Sequence, residues 1–310
     1  VARRSTEHGS GHRRADRPIE LKAMPSMHPK SSFLVGLIGS GIAASRTPPM
    51  HEAAADAAGI RYIYKKIDLA ELKLGVETLP ELLTAARRMG FDGLNVTHPC
   101  KQAIIPLLDE LSPDAEALGA VNTVVLRSGR MTGHNTDWFG FAENFRRNMQ
   151  GAPLGRVVQF GAGGAGSAVA FALMKLGVRE LTIIDVDLAK AQSLVDGLSP
   201  QFADGRLEAG QDVAAAVAAA DGIVNATPIG MDKYPGTPLP TALLRPDLWV
   251  AEIVYFPLET ALLRAARALG CRTVDGGGMA IFQGTEAFRL FTGISPDPDV
   301  FFATFASLGG

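Results

Sequence analysis

The feature that most constrains the fold is a glycine turn set between two kinds of periodicity. Residues 156–160 (RVVQF) are a short apolar run, Gly161-Ala162-Gly163-Gly164-Ala165-Gly166 follows at once, and an Ala-rich stretch continues to 176. Strand, G-x-G-x-x-G, helix is the context in which this pattern carries a physical meaning. Gly161 permits the tight turn, and Gly163 lets backbone N–H groups approach a pyrophosphate at the positive end of a helix. Gly166 allows the helix to pack closely on the strand. Asp185 ends the next apolar run (181–185), 19 residues beyond Gly166. A carboxylate there accepts from ribose hydroxyls and repels a 2′-phosphate, and residues 186–190 offer no arginine to receive one.

Further runs extend the alternation of strands and helices. Strands are expected at 33–39, 60–68, 91–97, 121–127 and 131–136 in a first block, and at 156–160, 181–185, 222–227, 249–255 and 271–275 in a second. Helices are expected at 45–59, 78–89, 101–109, 112–118, 165–176, 187–196, 213–220, 258–269 and 279–291. Such alternation implies an α/β chain with a mostly parallel sheet in each block, the second a Rossmann-type dinucleotide-binding unit. The 47% hydrophobic content excludes disorder of the whole chain, and a net charge of −2 gives no drive toward nucleic acid or an anionic membrane. No apolar run reaches the ~18 residues of a membrane span. Two cysteines, Cys100 and Cys271, make neither a disulfide framework nor a zinc site, and with no signal sequence the expected compartment is the cytoplasm.

Residues 1–31 read as a disordered tail or an over-extended start, with Met24 or Met27 as alternative first residues. Their five arginines make charge-mediated docking the other reading.

Two polar strand ends carry candidate chemistry. Asn95-Val96-Thr97-His98-Pro99-Cys100-Lys101 and Gly133-His134-Asn135-Thr136-Asp137 lie where α/β sheets bind ligands. Oxidising an alcohol requires a hydride acceptor and a group to take the proton, and a Lys–carboxylate pair is one solution. Taken alone, Lys101 is also an ordinary solvated lysine, Asp137 an ordinary helix cap, and His98 and His134 structural; spacing does not bring the segments together.

Taken together, the strings S-R-T-P-P-M-H (45–51), N-V-T-H-P-C-K (95–101), A-V-N-T (120–123), H-N-T-D (134–137), G-A-G-G-A-G (161–166), N-A-T-P-I-G-M (225–231) and D-G-G-G-M-A-I-F-Q (275–283) resemble the shikimate dehydrogenase family. The resemblance runs from about Gly36 to Leu308 and is nearest the NAD-dependent quinate/shikimate branch. It implies a substrate domain of residues 32–136 plus 279–310 and a dinucleotide domain of residues 137–278, with the final helices returning to the first. It implies Lys101 and Asp137 as the catalytic pair, and Ser45 and Thr47 on the substrate carboxylate. Thr97, Asn122 and Gln283 would bind ring hydroxyls, with Asn95 supporting them and Tyr255 beside the substrate. The cofactor cleft would comprise Gly161, Ala162, Gly163, Gly164, Ala165, Gly166, Asp185, Thr227 and Gly277.

The implied activity is reversible, NAD-dependent hydride transfer between shikimate or quinate and the 3-dehydro ketone. The expected form is a monomer or homodimer with no metal and no nucleic-acid or membrane partner. Alternatives are an NADP-dependent biosynthetic enzyme, a paralogue acting on an amino analogue, and a quinate- or NAD-sensing regulator without catalysis. A carboxylate stabilises a neighbouring ammonium, so whether Lys101 or Asp137 takes the proton stays open. Two features depart from the family pattern. Cys100 reads as a small buried hydrophobe or as a reactive thiol beside Lys101, and Gly276-Gly277-Gly278 reads as a flexible loop.

Overall fold

The computed structural model describes residue 1 and residues 31–308; the expectation for the basic N-terminal tail lies outside the described residues, save Val1 and Ser31. Residues from Ser31 onward form one compact unit built on two six-stranded sheets. The first contains β1 (Ser32–Gly39), β2 (Arg61–Asp68), β3 (Gly93–Val96), β4 (Glu110–Leu111), β5 (Thr123–Arg127) and β6 (Arg130–His134). The second contains β7 (Arg156–Phe160), β8 (Glu180–Ile184), β9 (Arg206–Ala209), β10 (Gly222–Asn225), β11 (Trp249–Glu252) and β12 (Arg272–Val274).

In the first block the helices are α1 (Thr47–Ala57), α2 (Leu69–Leu72), α3 (Leu79–Arg88), α4 (Cys100–Ala103) and α5 (Pro113–Leu118). They are followed by α6 (Asp137–Asn148), α7 (Gly164–Leu176), α8 (Leu188–Leu198), α9 (Val213–Ala219), α10 (Ala261–Ala268), α11 (Gly277–Thr292) and α12 (Pro298–Ser307).

The second sheet is parallel throughout, in the order β12-β11-β10-β7-β8-β9. Its strand order reverses between β7 and β10, the switch point at which doubly wound sheets bind ligands beyond their carboxyl ends. The first sheet, in the order β2-β1-β3-β5-β6-β4, is mixed. It is parallel across β2-β1-β3, but β5 runs antiparallel to both β3 and β6. That reversal decides where the polar segments go. It carries the start of β5 to the edge where β1, β3 and β6 end, and the register sets Asn95, Thr123 and His134 side by side.

Several elements escape the sequence periodicity. Helix α6 carries Gly140 and an aromatic-rich face, both weak helix formers, and is held by packing on α7 and α11. Strand β9 is only four residues long. Helix α11 begins at Gly277 rather than at 279. The expected flexible glycine loop is therefore corrected. Gly277 and Gly278 are buried in the first turn of α11, and a Cβ on Gly278 would fall 2.0 Å from Asn144 Oδ1. A Cβ on Gly276 would fall 2.3 Å from the Ile253 carbonyl. These glycines serve close packing, not mobility.

Helix α11 joins the two halves. Met279 packs in the core around β7 and β8, whereas Phe291 packs with β1 and β2, and Phe288 against α1 and α12. Helix α6 lies directly against α11. A Cβ on Gly140 would sit 2.5 Å from the Met279 carbonyl oxygen and 2.8 Å from the Gln283 nitrogen. Both obstacles are backbone, so the helices must part to admit a methyl group. Gly140→Ala is expected to destabilise the chain by about 1–3 kcal/mol, read from the denaturant midpoint; an unchanged midpoint would show that the two helices are not locked together.

Candidate active site

Residues separated in sequence meet where β1, β3 and β6 end and β5 begins. Lys101, in the first turn of α4, places Nζ 2.5 Å from Asp137 Oδ2 at the first residue of α6. The lysine side chain is 26% exposed and the aspartate 14%, so the pair borders solvent while losing much of its hydration. The other carboxylate oxygen, Asp137 Oδ1, accepts from Asn122 Nδ2 at 2.8 Å. Asn122 also donates to Thr136 Oγ1 and accepts from the Thr136 backbone N–H at 2.7 Å, which fixes the orientation of its amide. The Asp137 backbone N–H donates to Asn135 Oδ1. The carboxylate is therefore aimed before any ligand arrives.

Asn95 lies deeper and is buried. It accepts from the Tyr64 hydroxyl at 2.6 Å and donates to Thr123 Oγ1 at 3.0 Å. Its amide is thus engaged within the protein, in keeping with a supporting position. Thr97 follows β3, with its methyl against Gly39 at the end of β1. Ser45 Oγ accepts from the Thr47 backbone N–H at 3.3 Å.

The loop before Ser45 is held by Asp68, whose buried carboxylate accepts from the N–H groups of Gly41 and Ile42. Burial works to raise that carboxyl, and the backbone amides of Gly41, Ile42, Ala70 and Glu71 outweigh it and hold the group below its ordinary value. Gln283 stands across the α6–α11 contact from Gly140, one turn beyond Asp137, and donates to the Ala280 carbonyl. Tyr255 is half exposed and meets Phe305 edge-on. Arg46 covers the same ring, 4.8 Å from its centroid.

Cys100, next to Lys101, is fully buried in the apolar core below β3. Burial raises its thiol, so it is a packing residue rather than an exposed nucleophile.

The glycine turn has the shape its pattern demands. Gly161 has φ +100°, and a Cβ there would lie 2.7 Å from the Ala226 carbonyl oxygen. A Cβ on Gly166 would lie 2.3 Å from the Gly161 carbonyl oxygen. Gly163 and Gly164, by contrast, have no atom within 4 Å of an added Cβ. The turn therefore leaves open space over the N-terminus of α7, the end of a helix that favours an anion. Asp185 binds this turn through Ala162 N–H at 2.7 Å and the next loop through Asp187 N–H at 2.9 Å. Thr227 is held by Asn225 Oδ1, which accepts from both its hydroxyl and its N–H. The Gly277 N–H donates to Asp275.

Sequence reasoning gave no individual role to the groups behind these contacts, although Thr136, Thr123 and Asn225 stand within its motifs. The groups are Thr136, Thr123 and Tyr64 below the Lys–Asp pair, Asp68 below the Ser45 loop, Gln159 below the glycine turn, and Asn225 with Glu252 below Thr227. Gln159 Nε2 donates to the carbonyls of Gly161 and Gly166. Glu252 is 2% exposed and accepts from Asn225, Thr260 and the N–H groups of Ile253 and Val254. A lone carboxylate inside the apolar run WVAEIVY was the available signal. A tyrosine in a strand, such as Tyr64, gave none. Among the described residues, His, Cys, Asp and Glu do not gather in groups of three or more suited to a metal ion. None of the described helices is long and apolar enough to cross a membrane.

A parallel sheet with a glycine turn at its switch point, beside a mixed sheet that presents a lysine–carboxylate pair, is an α/β layout consistent with a dinucleotide-dependent oxidoreductase. Residues 37–124 match the shikimate dehydrogenase substrate binding domain. The chain is 56% identical over 283 residues to shikimate dehydrogenase (NADP(+)) of Streptomyces avermitilis, covering 91% of this chain and 97% of the relative. It is 51% identical over 280 residues to quinate/shikimate dehydrogenase (NAD(+)) of Corynebacterium efficiens, covering 89% and 99%. A solved structure of quinate dehydrogenase from Corynebacterium glutamicum in complex with NAD superposes with a TM-score of 0.86 at 48% identity, covering 90% of this chain and 100% of that one. The chain belongs to the shikimate dehydrogenase family.

Burial raises the Glu252 carboxyl from 4.5 to about 7, against the opposing pull of its hydrogen-bond donors. The folded chain then binds more protons than the unfolded chain between those values, so stability falls as pH rises through that window and levels off above it. The full shift corresponds to a loss on the order of 3 kcal/mol. Glu252→Gln is expected to flatten this part of the stability–pH curve, measured by denaturation from pH 4.5 to 8; an unaltered slope would contradict the assignment.

Proposed function

We propose that the chain is an NAD-preferring dehydrogenase of shikimate, quinate or both, interconverting a ring secondary alcohol and its 3-dehydro ketone. The observation that carries the reading is the preassembled Lys101–Asp137 pair, held by Asn122 within a family whose named members perform this chemistry. Ser45 and Thr47 bind the substrate carboxylate. Thr97, Asn122 and Gln283 bind ring hydroxyls over Asn95, and Tyr255 flanks the ring. Gly161 to Gly166, Asp185, Thr227 and Gly277 hold the dinucleotide. The substrate domain is residues 32–136 plus 279–310, and the dinucleotide domain residues 137–278. The enzyme acts in the cytoplasm as a monomer or homodimer, without a nucleic-acid or membrane partner.

A dinucleotide held by Gly161 to Gly166, Asp185, Thr227 and Gly277 would supply the hydride acceptor for oxidation and the hydride donor for reduction. In oxidation the Lys101–Asp137 pair takes the hydroxyl proton and steadies the developing alkoxide. In reduction Lys101 polarises the ketone oxygen and the proton returns.

The two relatives differ in the cofactor their names give. Asp185 tilts this chain toward NAD, because a carboxylate at the end of β8 opposes a 2′-phosphate. The NADP-dependent reading draws on the Streptomyces relative. Initial rates with shikimate or quinate, each with NAD or NADP, separate them. The expected result is higher kcat/KM with NAD, and a loss of at least ~100-fold in kcat for Lys101→Ala with a smaller change in KM. Higher efficiency with NADP would overturn the role of Asp185. Silence in all four pairs would overturn the dehydrogenase reading.

A further inference from the structure

Behind Asp137 the hydrogen bonds form a line with one direction. Tyr64 donates its hydroxyl proton to Asn95 Oδ1 at 2.6 Å, and Asn95 Nδ2 donates to Thr123 Oγ1 at 3.0 Å. Thr123 donates to Asn122 Oδ1 at 3.0 Å, and Asn122 Nδ2 donates to Asp137 Oδ1 at 2.8 Å. The direction is imposed by fixed groups at several points. Asp137 only accepts. The Thr136 backbone N–H holds Asn122 Oδ1 at 2.7 Å, and Asn95 Nδ2 also reaches the Asn122 carbonyl. A flipped Asn122 would set its NH2 against the Thr136 N–H, and a flipped Asn95 would set its amide oxygen against the Asn122 carbonyl. With the amide so oriented, Asn95 Oδ1 is left needing a donor in a buried place, and Tyr64 supplies it.

We propose that Tyr64 is a positioning residue of the reaction: through Asn95, Thr123 and Asn122 it fixes the aim of the Asp137 carboxylate relative to Lys101. The inference rests on the functional reading above. Tyr64 stands in β2, two strands from Asn95 in the sheet order, and its side chain is buried beside His51, whose ring centroid is 5.0 Å away. Burial keeps the phenol protonated far beyond its ordinary range and keeps His51 neutral, so the donor persists at any working pH. Chains of aligned hydrogen bonds polarise one another, so removing the first donor is felt at the last acceptor.

Phenylalanine fills the same space as tyrosine without its hydroxyl, which makes Tyr64→Phe a clean test. The measurement is steady-state kinetics with the preferred substrate pair, alongside the denaturant midpoint. The expected result is a 5- to 20-fold fall in kcat, taken as a rough range from the loss of one buried donor, with KM for the dinucleotide unchanged. Thr123→Val breaks the line at its centre and should show the same loss. Thr123→Ser keeps the hydroxyl and should restore most of it. If Tyr64→Phe does not fold, the Val and Ser variants at Thr123 read the same line. Wild-type kcat in Tyr64→Phe, or equal losses in both Thr123 variants, would overturn the proposal and leave the dehydrogenase reading intact. A wild-type chain silent with every substrate pair would overturn that reading and this proposal with it.

Discussion

A carboxylate deprived of most of its water must be compensated where it stands, and Asp137 is compensated from two sides. Lys101 takes one oxygen as an ion pair and Asn122 takes the other as a hydrogen bond. Such a pair contributes little to stability, because desolvation offsets its attraction. What it contributes is aim. The antiparallel run of β5 between β3 and β6 makes this possible. Were the first sheet parallel throughout, the start of β5 would lie at the opposite edge, and Asn122 and Thr123 would be far from Lys101.

The half built on the parallel sheet follows the same principle with different groups. Its glycine turn is shaped by approaches that no side chain would tolerate at Gly161 and Gly166, while Gly163 and Gly164 face open space. The turn is held by buried Gln159 and half-buried Asp185, and Thr227 by buried Asn225, itself held by buried Glu252. Helix α11 links the halves, setting Met279 in one core and Phe291 in the other, with Gln283 between them in sequence. Both halves thus hold their polar groups by preformed hydrogen bonds.

Much of this was legible in the sequence for physical reasons. Buried parallel strands read as continuous apolar runs, and β1, β7 and β8 were plain on that basis. The glycine pattern was legible because its spacing is a steric requirement. Lys101 and Asp137 stood out as polar groups at strand ends, but their meeting depends on the direction of β5, which local periodicity does not carry. Helix α6 was obscured by Gly140, a residue chosen for contact with α11 at the expense of helix propensity. The glycines at 276–278 misled in the opposite sense, since composition suggests freedom where the structure uses closeness. Tyr64 was invisible because a tyrosine that donates one buried hydrogen bond looks, in sequence, like any aromatic in a core.

The central claim is that Lys101 and Asp137 act as one unit. A double-mutant cycle on kcat/KM tests it most directly, using Lys101→Met, Asp137→Asn and the double variant with the preferred substrate and dinucleotide. If the pair is one unit, the double variant falls little below the weaker of the two single variants. If the two losses multiply, the residues act independently, and the pairing seen in the structure is not what drives the reaction.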